Sequence, residues 1–190
     1  MNVNNEKSNF HILIGACGAI SVVHLCSWIN FISTSLSANI TVILTKQAQR
    51  MVQPTSVTQF THNPTYTDFF FDDVVAPHVT LPARSDLFLI LPASANILGK
   101  AANGIADDLL STAIINSNCP TVFVPFMNLE MWNKKSVQRN VKQLKDDGYY
   151  IYHERQINLK VSTGEQVESI GYDLSKLIIK LKRIISETVS

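Results

Sequence analysis

The chain has 190 residues, 46% of them hydrophobic and 16% charged. That is enough for one domain with a filled core, and too apolar for a disordered segment. Sixteen Lys and Arg against fifteen Asp and Glu leave a net charge of +1, which argues against a nucleic-acid partner or a polybasic membrane anchor. Cys17, Cys26 and Cys119 are odd in number and fit neither a disulfide framework nor a metal knuckle. A reducing cytoplasm and no bound metal are the expectations.

Ile14-Gly15-Ala16-Cys17 imitates a lipoprotein cleavage site, but its apolar run reaches back only to Ile12, and a signal peptide needs about 7–15 such residues. Residues 87–98 are the most apolar stretch. Pro92, Ser94 and Asn96 interrupt them, and they fall short of the ~18 residues of a membrane span. No membrane association is expected.

In chain order, residues 10–14 predict a buried strand ending in Gly15-Ala16-Cys17-Gly18. Residues 19–33 predict a helix with Ile20, Val23, Ser27, Trp28 and Phe31 on one face. A second strand is expected over 39–44, a short helix over 46–52 and a third strand over 86–91. Residues 97–115 read as helical, broken near Asn103-Gly104. A fourth strand follows over 120–124, then a helix over 133–147 closed by Gly148 and a fifth strand over 149–153. A helix over 173–187 closes the chain. Two stretches lack periodicity: 61–82, with Phe69, Phe70, Phe71, Asp72 and Asp73, and 155–172, a polar segment expected to form a flexible flap.

Apolar strands alternating with helices predict an α/β fold: a doubly wound parallel sheet of Rossmann or flavodoxin-like type, forming a single domain over 1–190. Such sheets bind ligands beyond the carboxyl ends of their strands, so the loops there carry the candidate chemistry. Gly15 to Ser21 offers small residues and a helix start to a phosphate, and Gly18 and Ser21 are candidates for it. The second strand ends at Thr45-Lys46, with no acid for a dinucleotide ribose. Thr45 suits a terminal phosphate instead, or is a plain cap. Pro92-Ala93-Ser94-Ala95-Asn96 leaves room for a flat ring, or is an ordinary strand-to-helix turn. In the loop 125–132, Asn128 can donate to a carboxylate beside Met131 and Trp132. Of five histidines, His78 stands out beside the aromatic cluster, His11 and His24 read as passengers, and His62 and His153 as surface residues.

Together these segments resemble the homo-oligomeric flavin-dependent cysteine decarboxylases. The motifs are Pro92-Ala93-Ser94-Ala95-Asn96, Ala102-Asn103-Gly104-Ile105-Ala106-Asp107-Asp108-Leu109-Leu110, Pro125-x-Met127-Asn128-x-x-Met131-Trp132, and His78-x-x-Leu81 before Asp86. Details such as Asn96-Ile97-Leu98-Gly99 and Met131-Trp132-Asn133-Lys134 look most like the peptidyl-cysteine decarboxylases of lantibiotic (mersacidin and epidermin) biosynthesis.

The resemblance implies FMN or FAD, lying against residues 92–96 with its phosphate near Gly18, Ser21 and Thr45. It implies His78 as catalytic base and Asn128, with Met131 and Trp132, as the holder of the substrate's terminal carboxylate. It also implies trimers assembled into dodecamers, with His78 acting on a flavin bound mainly by a neighbour. The reaction it implies is oxidative decarboxylation of the C-terminal cysteine of a ribosomal precursor peptide to an aminoenethiol. Oxidation of the Cβ–S unit creates the electron sink that lets CO2 leave, while the histidine takes the thiol proton.

Three departures from the family pattern bear on this. Residues 160–166 lack the cysteine that coenzyme A pathway members carry there, which favours the peptide branch. Ile97 replaces a common threonine, and Ala106 and Asp108 replace Cys and Asn. The alternatives are phosphopantothenoylcysteine decarboxylase, a flavin prenyltransferase, or a flavin-binding regulatory subunit without catalysis.

Overall fold

The computed structural model describes residues 10–70, 74–159 and 165–188. The strands are β1 (His11–Ala16), β2 (Asn39–Leu44), β3 (Thr65–Tyr66), β4 (Leu87–Ala93), β5 (Thr121–Pro125), β6 (Met127–Asn128), β7 (Tyr150–Ile151), β8 (Glu154–Leu159) and β9 (Gln166–Gly171). The helices are α1 (Leu25–Leu36), α2 (Pro54–Thr61), α3 (Pro77–Ala83), α4 (Ala95–Ala102), α5 (Leu109–Asn116), α6 (Leu129–Trp132), α7 (Lys135–Asp146) and α8 (Leu174–Thr188).

Six strands form one parallel sheet in the order β3-β2-β1-β4-β5-β7. Period-two alternation splits the core between its faces. Ile12, Ile14, Leu87, Leu89 and Leu91 point to the side covered by α1, α2 and α8. Leu13, Phe88 and Ile90 point to the side covered by α3, α4, α5 and α7. Burial on both faces explains why the strands read as unbroken apolar runs. Gly15 lets Leu110 pack closely against β1: a Cβ there would lie 2.3 Å from a methyl of Leu110, which would have to shift.

Capping defines where the helices after the strands begin. Ser94 Oγ accepts from Ile97 N at 3.4 Å to start α4. Asp108 and Ser111 form a reciprocal capping box at α5, and Asp173 accepts from Lys176 N at 3.0 Å in the first turn of α8. Lys100 bridges Asp107 and Asp108 at 2.5 and 2.8 Å. Burial opposes the Asp108 charge, but hydrogen bonds from Lys100 and Ser111 outweigh it and hold the carboxyl below its usual range. Asp108 thus anchors the run 102–110 to α4.

The structure departs from the expected elements in several places. The helix expected over 19–33 begins as a 3-10 turn (Ile20–His24) and becomes α-helical at Leu25. The one expected over 46–52 is only a 3-10 turn, Ala48–Arg50. The stretch 61–82 contains β3 and α3, whose Pro77 sits in the first turn, where its missing N–H costs nothing. The stretch 155–172 contributes β8 and β9, which join β6 in a second sheet of order β6-β9-β8, antiparallel throughout. Phe71, Asp72, Asp73 and residues 160–164, the centre of the expected flap, lie outside the described residues. Among the described residues no helix is long and apolar enough to cross a membrane.

Candidate active site

The order of strands reverses between β1 and β4, which are parallel neighbours although β2 and β3 separate them in sequence. A cleft of about 800 Å³ opens beyond the carboxyl ends of these two strands, where doubly wound sheets bind ligands. Gly18 and Ser21 line it from the loop after β1, Ser94 and Ala95 from the loop after β4, and Asn128 and Met131 from the segment after β5. Six of the residues singled out from sequence therefore meet in one cavity.

The end near β1 suits a phosphate. Ser21 is 6% exposed, and its Oγ is buried with no hydrogen-bond partner among the described residues. The 3-10 turn it belongs to has no side-chain cap, and such a helical start favours an anion. Gly18 lets the loop close on its neighbour: a Cβ there would sit 2.5 Å from Cβ of Gln47. An unsatisfied buried hydroxyl beside an uncapped helical start fits the phosphate of a flavin, and small Ser94 and Ala95 leave space for its ring.

Thr45, Pro92, Ala93 and Asn96 lie outside the cleft wall. Thr45 Oγ1 lies 3.3 Å both from the Ala16 carbonyl, to which it donates, and from Ala48 N, from which it accepts, tying the ends of β1 and β2 together. Pro92 and Ala93 are buried at the end of β4, after a cis Leu91–Pro92 bond, and Asn96 faces outward. Cys17, in the phosphate-side loop, is fully buried. Burial pushes its thiol up to about 12 against opposing hydrogen bonds from Ser94, so it is an inert core group rather than a nucleophile.

At the far end, Asn128 caps α6, its Oδ1 accepting from Met131 N at 2.8 Å. With the oxygen so engaged, the amide Nδ2 is the end left to donate, as a carboxylate requires. Met131 is 43% exposed and faces the cleft, whereas Trp132 is 7% exposed and turned inward against His153, with ring centroids 4.4 Å apart. His153 is half-buried rather than a surface residue. Burial lowers its pKa, and Lys145 adds to the effect.

His78 lies outside the cleft wall of its own chain. It sits on α3, half-buried, with Nδ1 buried and without a hydrogen-bond partner among the described residues, and its ring lies edge-on to Phe69 at 5.6 Å. Exposed Val75, Val79 and Phe70 surround its segment.

Sequence reasoning passed over part of the wall. His24 from the 3-10 turn and Trp28 from α1, Gln156 and Ser169 from the small sheet, and Tyr172 after it all line the cleft. Trp28 packs edge-on to Tyr172 at 5.3 Å. The helical spacing of His24 and Trp28 was a visible signal. The strand register that brings in Gln156 and Ser169 was not.

Comparison with known proteins identifies the family. A family model described as Flavoprotein matches residues 1–181. The mersacidin decarboxylase of Bacillus sp. (strain HIL-Y85/54728) is 34% identical over 161 residues, 84% of this chain and 82% of that protein. The coenzyme A biosynthesis bifunctional protein CoaBC of Bacillus subtilis (strain 168) is 35% identical over 144 residues, 75% of this chain but only 35% of its own length. The crystal structure of SpaF, described as an FMN-dependent cysteine decarboxylase, superposes with a TM-score of 0.79 at 35% identity and covers 92% of this chain and 97% of that one.

Proposed function

This chain belongs to the Flavoprotein family, and on that premise we propose that it is an FMN-dependent decarboxylase acting on the C-terminal cysteine of a ribosomal precursor peptide in the cytoplasm. The observation that carries the reading is one cleft holding both a phosphate-ready Ser21 and an outward-donating Asn128. The similarity to mersacidin decarboxylase and SpaF over more than four-fifths of their lengths supports it. CoaBC is matched over about a third of its length, so its two activities are not carried over.

FMN, when bound, supplies the two-electron oxidation of the Cβ–S unit, without which the departing carboxylate would leave an unstabilised carbanion. The chain's own residues bind and orient. Gly18 and Ser21 would hold the phosphate, and Ser94 and Ala95 the ring. Asn128 Nδ2 donates to the terminal carboxylate and, with Met131 packing beside it, fixes the cysteine so that its thiol meets the base. His78 takes the thiol proton at Nε2, since Nδ1 is buried.

His78 lies outside its own cleft, amid exposed Val75, Val79 and Phe70. That placement supports a homotrimer, assembled into a dodecamer, in which each chain lends His78 to a neighbour's cleft. Sedimentation tests the assembly. Mixing two inactive variants, His78→Asn and Asn128→Asp, tests the lending: mixed trimers regain activity if the histidine serves a neighbour and stay inactive if it serves its own chain.

A further inference from the structure

The small sheet brings three polar residues into register. In the antiparallel β6–β9 pair Asn128 stands opposite Ser169, and in the β9–β8 pair Ser169 stands opposite Gln156. Directly opposed residues project from the same face, and all three line the cleft. Asn128 and Gln156 are two strands apart, about 10 Å between backbones at ordinary strand spacing, with only the small Ser169 between them.

The two amides are fixed in opposite senses. Asn128 Oδ1 accepts from Met131 N, so its nitrogen faces outward. Gln156 Nε2 donates to the Tyr172 carbonyl. Because a carbonyl only accepts, that bond identifies which end of the Gln156 amide is nitrogen. Among the described residues no donor reaches Gln156 Oε1. Gly171 makes room for it, since a Cβ there would come within 2.4 Å of that oxygen. The row therefore presents a donor at one end and an acceptor at the other.

The geometry points to Gln156 as a substrate-recognition residue, whose Oε1 accepts the N–H of the peptide bond preceding the terminal cysteine while Asn128 donates to its carboxylate. The inference rests on the proposed peptide reading and deepens it. The site would select cysteine acylated on nitrogen, whose amide N–H is a neutral donor in a fixed place, over free cysteine, whose ammonium would face only one acceptor.

A substrate-and-variant cycle tests it. Wild type and Gln156→Leu are each given a peptide ending in Cys and its depsipeptide counterpart, in which an ester oxygen replaces the final N–H, with flavin content and thermal unfolding measured for both proteins. Wild type should lose about 10-fold in kcat/KM on the ester, and Gln156→Leu should lose about the same on the amide peptide. The variant should then treat the two substrates alike to within about 2-fold, because the losses share one hydrogen bond. If the variant still discriminates about 10-fold, Gln156 only supports the hairpin and the inference is overturned. Gly171→Ala, which crowds the same oxygen without deleting it, should also weaken discrimination, and unchanged discrimination there counts against the inference. If wild type converts neither substrate, the peptide reading itself fails, a result distinct from failure of the Gln156 role alone.

Discussion

Asn128 does two jobs with two ends of one amide, and Asn128→Asp separates them. Its Oδ1 caps α6 through Met131 N at 2.8 Å, a bond an aspartate oxygen makes equally well, since Asp and Asn rank together as N-caps. Stability should therefore stay within about 0.5 kcal/mol of wild type, where Asn128→Ala would lose about 1 kcal/mol of cap. The Nδ2 donor to the substrate carboxylate is replaced by an anionic oxygen. Losing a hydrogen bond to a charged group costs about 1.5–3 kcal/mol. Two carboxylates about 4 Å apart at an effective dielectric near 20 repel by about 4 kcal/mol. At 1.4 kcal/mol per decade, kcat/KM should fall at least about 100-fold while the melting curve is unmoved. Initial rates on a Cys-terminated peptide, with thermal melts of the same preparations, measure both. A variant that keeps kcat/KM within about 3-fold of wild type refutes the carboxylate role of Asn128.

Other residues give tests with distinct signs. Ser21→Ala should leave the flavin-free protein as stable or more stable, because it deletes a buried hydroxyl without a partner among the described residues. It should also weaken FMN binding about 10- to 100-fold, measured by fluorescence titration. His78→Asn should retain FMN with an unchanged absorption spectrum while turnover of a Cys-terminated peptide drops at least about 100-fold, because among the described residues the histidine does not line the cleft of its own chain. For His153, burial and then Lys145 lower the folded-state pKa, so the unfolded chain takes up the proton first. The resulting stability is present above the unfolded pKa of about 6.5 and is lost as pH falls through the folded value. The melting temperature of wild type should drop more steeply between about pH 7 and pH 5 than that of His153→Phe.

What was legible in the sequence follows from what local patterns encode. The strands expected at 39–44 and 86–91 were visible because burial on both faces leaves apolar runs, and α5 and α7 were visible from their periodicity and, for α7, the glycine that closes it. The loops at Gly18, Ser21, Ser94 and Asn128 could be found because the doubly wound pattern says which strand ends to inspect. Thr45 and Trp132 looked equally polar or equally pocket-like in sequence. The structure turns one toward the Ala16 carbonyl and the other onto His153, orientations that tertiary packing decides. The hairpin of β8 and β9 was illegible, since its strands mix charged and apolar residues and its meaning lies in the register opposite Asn128. Strand β3 is two residues long, too short to carry a period.

The central claim is tested most directly by mass spectrometry of peptides ending in cysteine, before and after incubation in air with the purified, flavin-loaded protein. The account predicts loss of CO2 together with two hydrogens from such peptides, and no change in the same peptides ending in serine. Unaltered cysteine peptides, with CO2 alone lost from phosphopantothenoylcysteine, would contradict it and assign the chain to coenzyme A biosynthesis.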